Sequence, residues 1–312
     1  MKILYSAKED EWEIYQKLLK RKLRDHGFTD FQISRETDTK IEDIDFVIYA
    51  PKNKNEDFSR YKNLKAIFSL WAGIETIISN ETIDVPLIKM VDEGLTKGMI
   101  EWCTAHTLRY HLNLDHYIKT QDGAWCFNKN QLLAFERNIS VLGLGNIGME
   151  VAKSLRDFGF SVSGWSAQKK FEPGIKCYSG EGTLRETLEG ADIVICLLPE
   201  TKKTIGLLNN ETFSYFKYGA KIINAGRGSL IDDDALLISI KNGKISHATL
   251  DVFDEEPLPQ EHLFWSNKNV TVTPHIAAIS RPDTCVNSIV MNIARYKEGK
   301  DFVGLVDKDK GY

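Results

Sequence analysis

Three residues in the second half of the chain have side chains suited to acid–base work, and each follows an apolar run. Arg227 sits in Asn224-Ala225-Gly226-Arg227-Gly228, directly after Lys221–Asn224. Glu256 sits in Leu250-Asp251-Val252-Phe253-Asp254-Glu255-Glu256-Pro257-Leu258-Pro259, and His275 in Thr271-Val272-Thr273-Pro274-His275-Ile276-Ala277-Ala278. Taken singly these read as a surface Arg, an acidic loop and a capping His. Together they suit carbonyl reduction. Hydride arriving at a carbonyl carbon leaves charge on oxygen, and that oxygen needs a proton. Histidine is the side chain whose ordinary pKa suits donation near neutrality. A carboxylate beside an imidazole favours its protonated form, and the planar fork of arginine can engage an adjacent substrate carboxylate. The implied substrate is a 2-oxo acid.

A hydride donor has a place in the same segment. Residues 141–148 carry a GxGxxG turn at Gly143, Gly145 and Gly148, with Asn146 and Ile147 inside it. Before it runs the apolar, β-branched stretch Asn138–Leu142; after it Ile147, Val151, Ala152 and Leu155 recur at helical spacing, and Phe160–Trp165 reads as the next strand. Strand, glycine turn, helix and strand form the dinucleotide-binding unit, whose helix N-terminus attracts a pyrophosphate. In the NAD version a carboxylate ends the second strand and holds the ribose. Here Ser166 fills that slot, followed closely by Lys169 and Lys170. A carboxylate would repel a 2′-phosphate, whereas a hydroxyl and two lysines would hold one. NADP(H) is therefore the expected preference, with NAD(H) as the other possibility.

Two segments must position these groups. The first, from residue 1 to 99, alternates short apolar runs (Lys2–Tyr5, Phe46–Tyr49, Ala66–Leu70) with charged stretches such as Glu9–Asp25, a β/α pattern without a phosphate turn. The second adds apolar strands at Ala191–Leu198, Lys221–Ala225, His247–Val252 and Val270–Thr273 to the fingerprint unit. Pro199, Pro257, Pro259 and Pro274 cluster just past such runs, where open α/β sheets bind their ligands. Gly98–Ile118 is expected to form one long helix, apolar beyond a single stripe and hence deeply buried or shared with another subunit. His106, His111 and His116 walk around that helix, so no metal site is expected there.

Bulk properties bound the rest. At 312 residues the chain has room for two domains, and 42% hydrophobic with 27% charged residues is ordinary for a globular protein. A net charge of −4 without a long basic run argues against nucleic acid as a partner. No run approaches the length of a membrane span, and the start lacks the apolar core of a signal peptide. Five cysteines (Cys103, Cys126, Cys177, Cys196, Cys285) without CxxC spacing fit a reducing cytoplasm. There is no internal repeat.

The glycine turn, Leu197-Leu198-Pro199-Glu200-Thr201, Asn224–Gly228, Leu250–Pro259 and Thr273–Ala278 resemble the D-isomer-specific 2-hydroxy acid dehydrogenase family over essentially the whole chain. Gly164-Trp165-Ser166, the stretch Thr273–Pro282 and the closing Val306–Tyr312 are most similar to its glyoxylate/hydroxypyruvate reductase A branch. The resemblance implies an α/β fold of two Rossmann-like or flavodoxin-like domains with parallel sheets and the active site in the cleft between them. It places residues 1–99 with 284–312 in a substrate-binding domain and 100–283 in a dinucleotide-binding domain. It implies Arg227 as substrate anchor, Glu256 as the carboxylate paired to the acid and His275 as proton donor. Ala72 and Gly73 would donate to the substrate carboxylate, with Arg281, Tyr49 and Trp71 at the same pocket. Asp251 would face the nicotinamide carboxamide, and Leu198, Pro199, Thr204, Ala225 and Ala277 would complete the cofactor contacts. It also implies a homodimer.

The chain departs from the family pattern at Trp71, where a small residue is more usual, and at Trp102, where Tyr or Phe is usual. It also departs in the ribose loop, where lysines stand in place of an arginine. The expected activity is NADPH-dependent reduction of glyoxylate or hydroxypyruvate. The alternatives are reduction of larger 2-oxo acids and, from another class, a dinucleotide-sensing protein without catalysis.

Overall fold

The computed structural model describes residues 1–35, 40–51, 56–123, 125 and 131–311; Cys126 and Tyr312 lie outside the described residues. The chain divides into two compact units, Met1–Leu95 with Ile279–Tyr312, and Thr96–Ala278.

In the first unit five strands form a parallel sheet: β1 (Lys2–Ser6), β2 (Gln32–Arg35), β3 (Phe46–Tyr49), β4 (Ala66–Ser69) and β5 (Leu87–Ile88). Their order, β2-β1-β3-β4-β5, is the flavodoxin-like one. β3 and β4 are buried along their whole length, which is why they read as unbroken apolar runs. The helix Trp12–Asp25 buries Tyr15, Leu19 and Leu23 at four-residue intervals. It packs against the helix Pro282–Lys297, whose Val286, Ile289, Val290 and Ile293 share its core. The C-terminal segment thus completes this unit, and Val306 N–H donates to Leu87 at 2.9 Å.

The second unit has seven parallel strands: β6 (Asn138–Leu142), β7 (Ser161–Ser166), β8 (Ile175–Ser179), β9 (Ile193–Cys196), β10 (Ala220–Asn224), β11 (Ile245–Leu250) and β12 (Val270–Val272). The order β12-β11-β10-β9-β6-β7-β8 reverses direction between β6 and β9, the switch point at which such sheets bind dinucleotides. Alternation along β6 sends Ile139 and Val141 into one core and Leu142 into the other, so each face of the sheet is covered.

The helix expected over Gly98–Ile118 is instead two. One runs Glu93–His111 and the other Leu114–Lys119. Asn113 between them takes the left-handed conformation (φ 54°), which an asparagine tolerates and a helix cannot carry through. The start moves earlier because the Asp92 carboxylate accepts the Leu95 N–H at 3.0 Å. Cys103, Thr107 and Tyr110 are buried, while Ile118 is exposed.

Tyr110 leads into a polar cluster beneath the sheet edge. Its hydroxyl meets Thr249 Oγ1 at 2.5 Å, and His247 Nε2 meets Thr271 Oγ1 at 2.9 Å, which also accepts Arg109. Burial lowers His247 to about 4 from its ordinary 6.5, because the charged imidazolium would be desolvated. A depressed folded-state pKa means the unfolded chain binds the proton more readily below 6.5. The contribution is present above pH 6.5 and lost as pH falls toward 4. Urea unfolding of the wild type is expected to show stability falling across that window. His247→Asn, which keeps a polar partner for Thr271 without titrating, should lose on the order of 2 kcal/mol less. Equal slopes in the two proteins would remove His247 from this role.

Candidate active site

Every candidate catalytic group lies on a loop leaving the carboxyl end of the seven-stranded sheet. Ser166 ends β7, Gly143 follows β6, Leu198 and Pro199 follow β9, Arg227 follows β10, Asp251 and Glu256 follow β11, and His275 follows β12. At about 4.8 Å per strand this row spans roughly 24 Å from Ser166 to His275. Sequence-distant residues are brought to one edge by the parallel register alone.

The glycine turn fits a pyrophosphate. A side chain on Gly148 would meet the Gly143 carbonyl oxygen at 1.9 Å, so only glycine lets the helix Asn146–Phe158 start against the strand. At Gly145 the same position faces open space, and no side chain caps the helix N-terminus there. The first-turn N–H groups are therefore available to an anion. Ser166 is buried and donates to Gln168 O at 2.7 Å, which turns the chain so that Lys169 and Lys170 stand exposed. Leu198, Thr204, Ala225 and Ala277 are buried side chains, and Thr204 Oγ1 donates to Pro199 O at 2.7 Å.

Arg227 is held by its neighbours. The buried Asn224 side chain accepts from Gly226 N–H at 3.1 Å and donates to the Arg227 carbonyl at 2.9 Å. A Cβ on Gly228 would lie 2.0 Å from the Phe253 carbonyl carbon, so this loop and the one after β11 are in direct backbone contact. Ser229 Oγ donates to Glu200 at 2.6 Å and ties it to the loop after β9 as well.

His275 Nδ1 meets Glu256 Oε2 at 2.7 Å. The carboxylate accepts, so Nδ1 carries the hydrogen, and Nε2, on a half-exposed ring, is open among the described residues. Glu256 is itself fixed: its Oε1 accepts the Phe253 N–H at 2.9 Å. His275 adopts the left-handed conformation (φ 54°), unusual for a histidine and retained only where the surroundings impose it. The surroundings are Asp251, 1% exposed, whose carboxylate accepts Thr273 Oγ1 at 2.5 Å, Ile276 N–H at 2.9 Å and Ala277 N–H at 2.8 Å. Its carbonyl also accepts the His275 N–H at 2.9 Å. All of these contacts hold the loop that carries the imidazole.

The remaining candidates belong to the first unit. Tyr49 ends β3, buried with its ring edge-on to Phe58 at 5.1 Å. Trp71 is 42% exposed, while Ala72 and Gly73 follow it in a partly buried loop. The Trp71 carbonyl accepts the Met90 N–H at 2.9 Å, and Ser69 Oγ accepts the Trp71 N–H at the same distance. Arg281 directly precedes the helix Pro282–Lys297. His106, His111 and His116 each pack on an aromatic ring, of Trp102, Phe160 and Tyr117. Sequence reading missed Thr273, Asn224 and Ser229 as the residues that fix the three loops. The one available signal was a small hydrogen-bonding residue at or just after a strand end.

Residues 105–277 match the family described as D-isomer specific 2-hydroxyacid dehydrogenase, NAD binding domain. A glyoxylate/hydroxypyruvate reductase A of Yersinia enterocolitica is 37% identical over 287 residues, covering 89% of this chain and 90% of its own length. A D-isomer specific 2-hydroxyacid dehydrogenase from Xanthobacter autotrophicus Py2, solved with NADPH and MES, superposes with a TM-score of 0.90 at 32% identity over 99% of both chains. An NADPH-dependent glyoxylate/hydroxypyruvate reductase from Sinorhizobium meliloti, solved with NADP and sulfate, gives 0.85 at 29% identity, covering 100% of this chain and 99% of its own. A glycine turn at the switch point, a histidine–carboxylate pair on the same edge, and relatives that match along the whole length lead to one assignment: the chain belongs to the D-isomer specific 2-hydroxyacid dehydrogenase family.

Proposed function

We propose that this protein is an NADPH-dependent reductase of a small 2-oxo acid, glyoxylate or hydroxypyruvate, yielding the D-2-hydroxy acid. The observation that carries the reading is the 2.7 Å His275–Glu256 pair with Nε2 open, on the same strand edge as the glycine turn. The bound nicotinamide supplies the hydride. His275 then delivers a proton from Nε2 to the oxygen that becomes the hydroxyl, while Glu256 keeps Nδ1–H directed away from it. Arg227 holds the substrate carboxylate and the carbonyl oxygen in line. In this reading Ala72, Gly73 and Arg281 supply further donors to the carboxylate, and Trp71 limits its size. The names of the Yersinia and Sinorhizobium relatives support the substrate class. We also propose a homodimer in the cytoplasm; the exposed Ile118 and Trp125 support an unfinished surface, which sedimentation velocity tests. No helix among the described residues is long and apolar enough to cross a membrane.

Steady-state assays of glyoxylate, hydroxypyruvate, pyruvate and phenylpyruvate decide the substrate, with glyoxylate and hydroxypyruvate expected to give the highest kcat/KM. Turnover of none of the four, with NADPH still bound, would support the non-catalytic alternative instead. His275→Gln should lower kcat by ~10²–10⁴-fold, the usual worth of a general acid, with NADPH affinity unchanged by fluorescence titration. A variant that keeps most of its activity would take His275 out of the proton path.

Cofactor choice is tested separately. We expect kcat/KM with NADPH to exceed that with NADH by at least about tenfold, a difference of ~1.4 kcal/mol that one charge-assisted contact supplies. Ser166→Asp combined with Lys169→Ala should reverse the order, since a carboxylate there repels the 2′-phosphate and binds the ribose hydroxyls. Equal use of both cofactors by the wild type would make the lysines a solvated surface only.

A further inference from the structure

A cavity lies at the opposite, amino-terminal edge of the seven-stranded sheet. It measures about 150 Å³, and Tyr110, His111, Tyr117, Arg137 and Lys221 are among the residues that line it. Arg137 immediately precedes β6 and Lys221 is the second residue of β10, whereas the catalytic groups follow the far ends of these strands. His111 is 8% exposed, and its Nδ1 is buried with no hydrogen-bond partner among the described residues. Arg137 Nε is also buried without a partner among the described residues. No carboxylate pairs with Arg137 or Lys221 among the described residues. The nearest acids are committed elsewhere: Asp192 to Lys217 and the Asn138 N–H, Asp115 to Arg109.

The charges in this cavity are only partly compensated: Asp192 and Asp115 act on Lys221 from a distance, and burial with Arg137 outweighs them. Burial and the neighbouring Arg137 guanidinium both hold Lys221 below its ordinary value, and the same two causes lower His111. Unpaired buried donors are rare because each has given up its hydrogen bonds to water without replacement. Water could satisfy the hydrogen bonds, since the volume admits about five molecules at ~30 Å³ each. Water would leave the like charges facing one another. An anion answers both demands, and a guanidinium fork beside an ammonium suits an oxyanion.

We propose that this cavity binds a small oxyanion of phosphate size, held by Arg137 and Lys221 with His111 as a third donor. Calorimetric titration with inorganic phosphate, at ionic strength held constant with chloride, tests the site. Arg137→Gln and Lys221→Gln, each checked for fold by circular dichroism, should weaken phosphate binding at least about tenfold. Arg227→Gln and Lys169→Ala, at the other edge of the sheet, should leave it unchanged. The proposal is overturned if no saturable binding is seen, or if affinity survives in both cavity variants. Loss of binding only in Arg227→Gln or Lys169→Ala would also overturn it by placing the phosphate at the carboxyl edge. So would sedimentation showing that the cavity variants dissociate a dimer which phosphate does not affect, since a second copy would then cover the cations. None of these readouts depends on turnover, so failure here leaves the reductase reading to its own test.

Discussion

The candidate catalytic edge of this protein depends on one buried carboxylate. Asp251 leaves β11 into an environment where an ionised group is costly unless every lone pair is used. It collects a hydroxyl and two backbone N–H groups from the segment that follows β12. Those contacts force the chain through a left-handed residue, and that residue is His275. The imidazole is therefore aimed by the backbone before Glu256 touches it, and Glu256 is fixed in turn through Phe253. Replacing Asp251 by an apolar residue would strand three donors at once, so the arrangement tolerates little drift.

This explains which parts of the fold were legible in the sequence. β1, β3, β4, β6, β9, β10 and β11 have neighbours on both sides and read as apolar runs. Of the strands that escaped notice, β2 and β8 lie at sheet edges, where polar residues such as Arg35 and Lys176 are tolerated; β5 is buried and hydrogen-bonded to the C-terminal segment, but its two residues are too few to show a pattern. The break in the long helix escaped for a related reason. Leu112 and Leu114 flank Asn113 and continue the apolar pattern across it, while the left-handed turn is a backbone property with no periodicity. The early start at Glu93 was hidden by Gly94 and Gly98, poor helix formers.

At the site, the residues with unusual chemistry were legible and those that place them were not. Arg227, Glu256 and His275 stand out as charged or titratable groups after strand ends. Asn224, Ser229 and Thr273 look like ordinary loop residues, and their roles exist only as distances between loops far apart in sequence. The close approach at Gly228 is of the same kind: its reason is Phe253, twenty-five positions later. The amino-edge cavity is the extreme case. His111, Arg137 and Lys221 share no motif: the sheet order brings Arg137 and Lys221 to one edge, and the helix Glu93–His111 ends beside them.

At the position that the sequence assigns to the ribose, the fold gives Ser166 a different physical part. From sequence, Ser166 appears as a direct ligand for a 2′-phosphate. In the fold its hydroxyl hydrogen is already donated to the Gln168 carbonyl, and the residue is buried. Its contribution is then to turn the loop and to leave no negative charge at the strand end. Lys169 and Lys170 are exposed, so their attraction for a phosphate is weakened by water and salt. Discrimination at such a site rests as much on the repulsion that is absent as on the attraction that is present. A carboxylate in Ser166's place would act at short range in a buried setting, where charge interactions are least screened. In the NADPH reading proposed above, that asymmetry gives the single position after Trp165 more weight than the number of lysines beyond it.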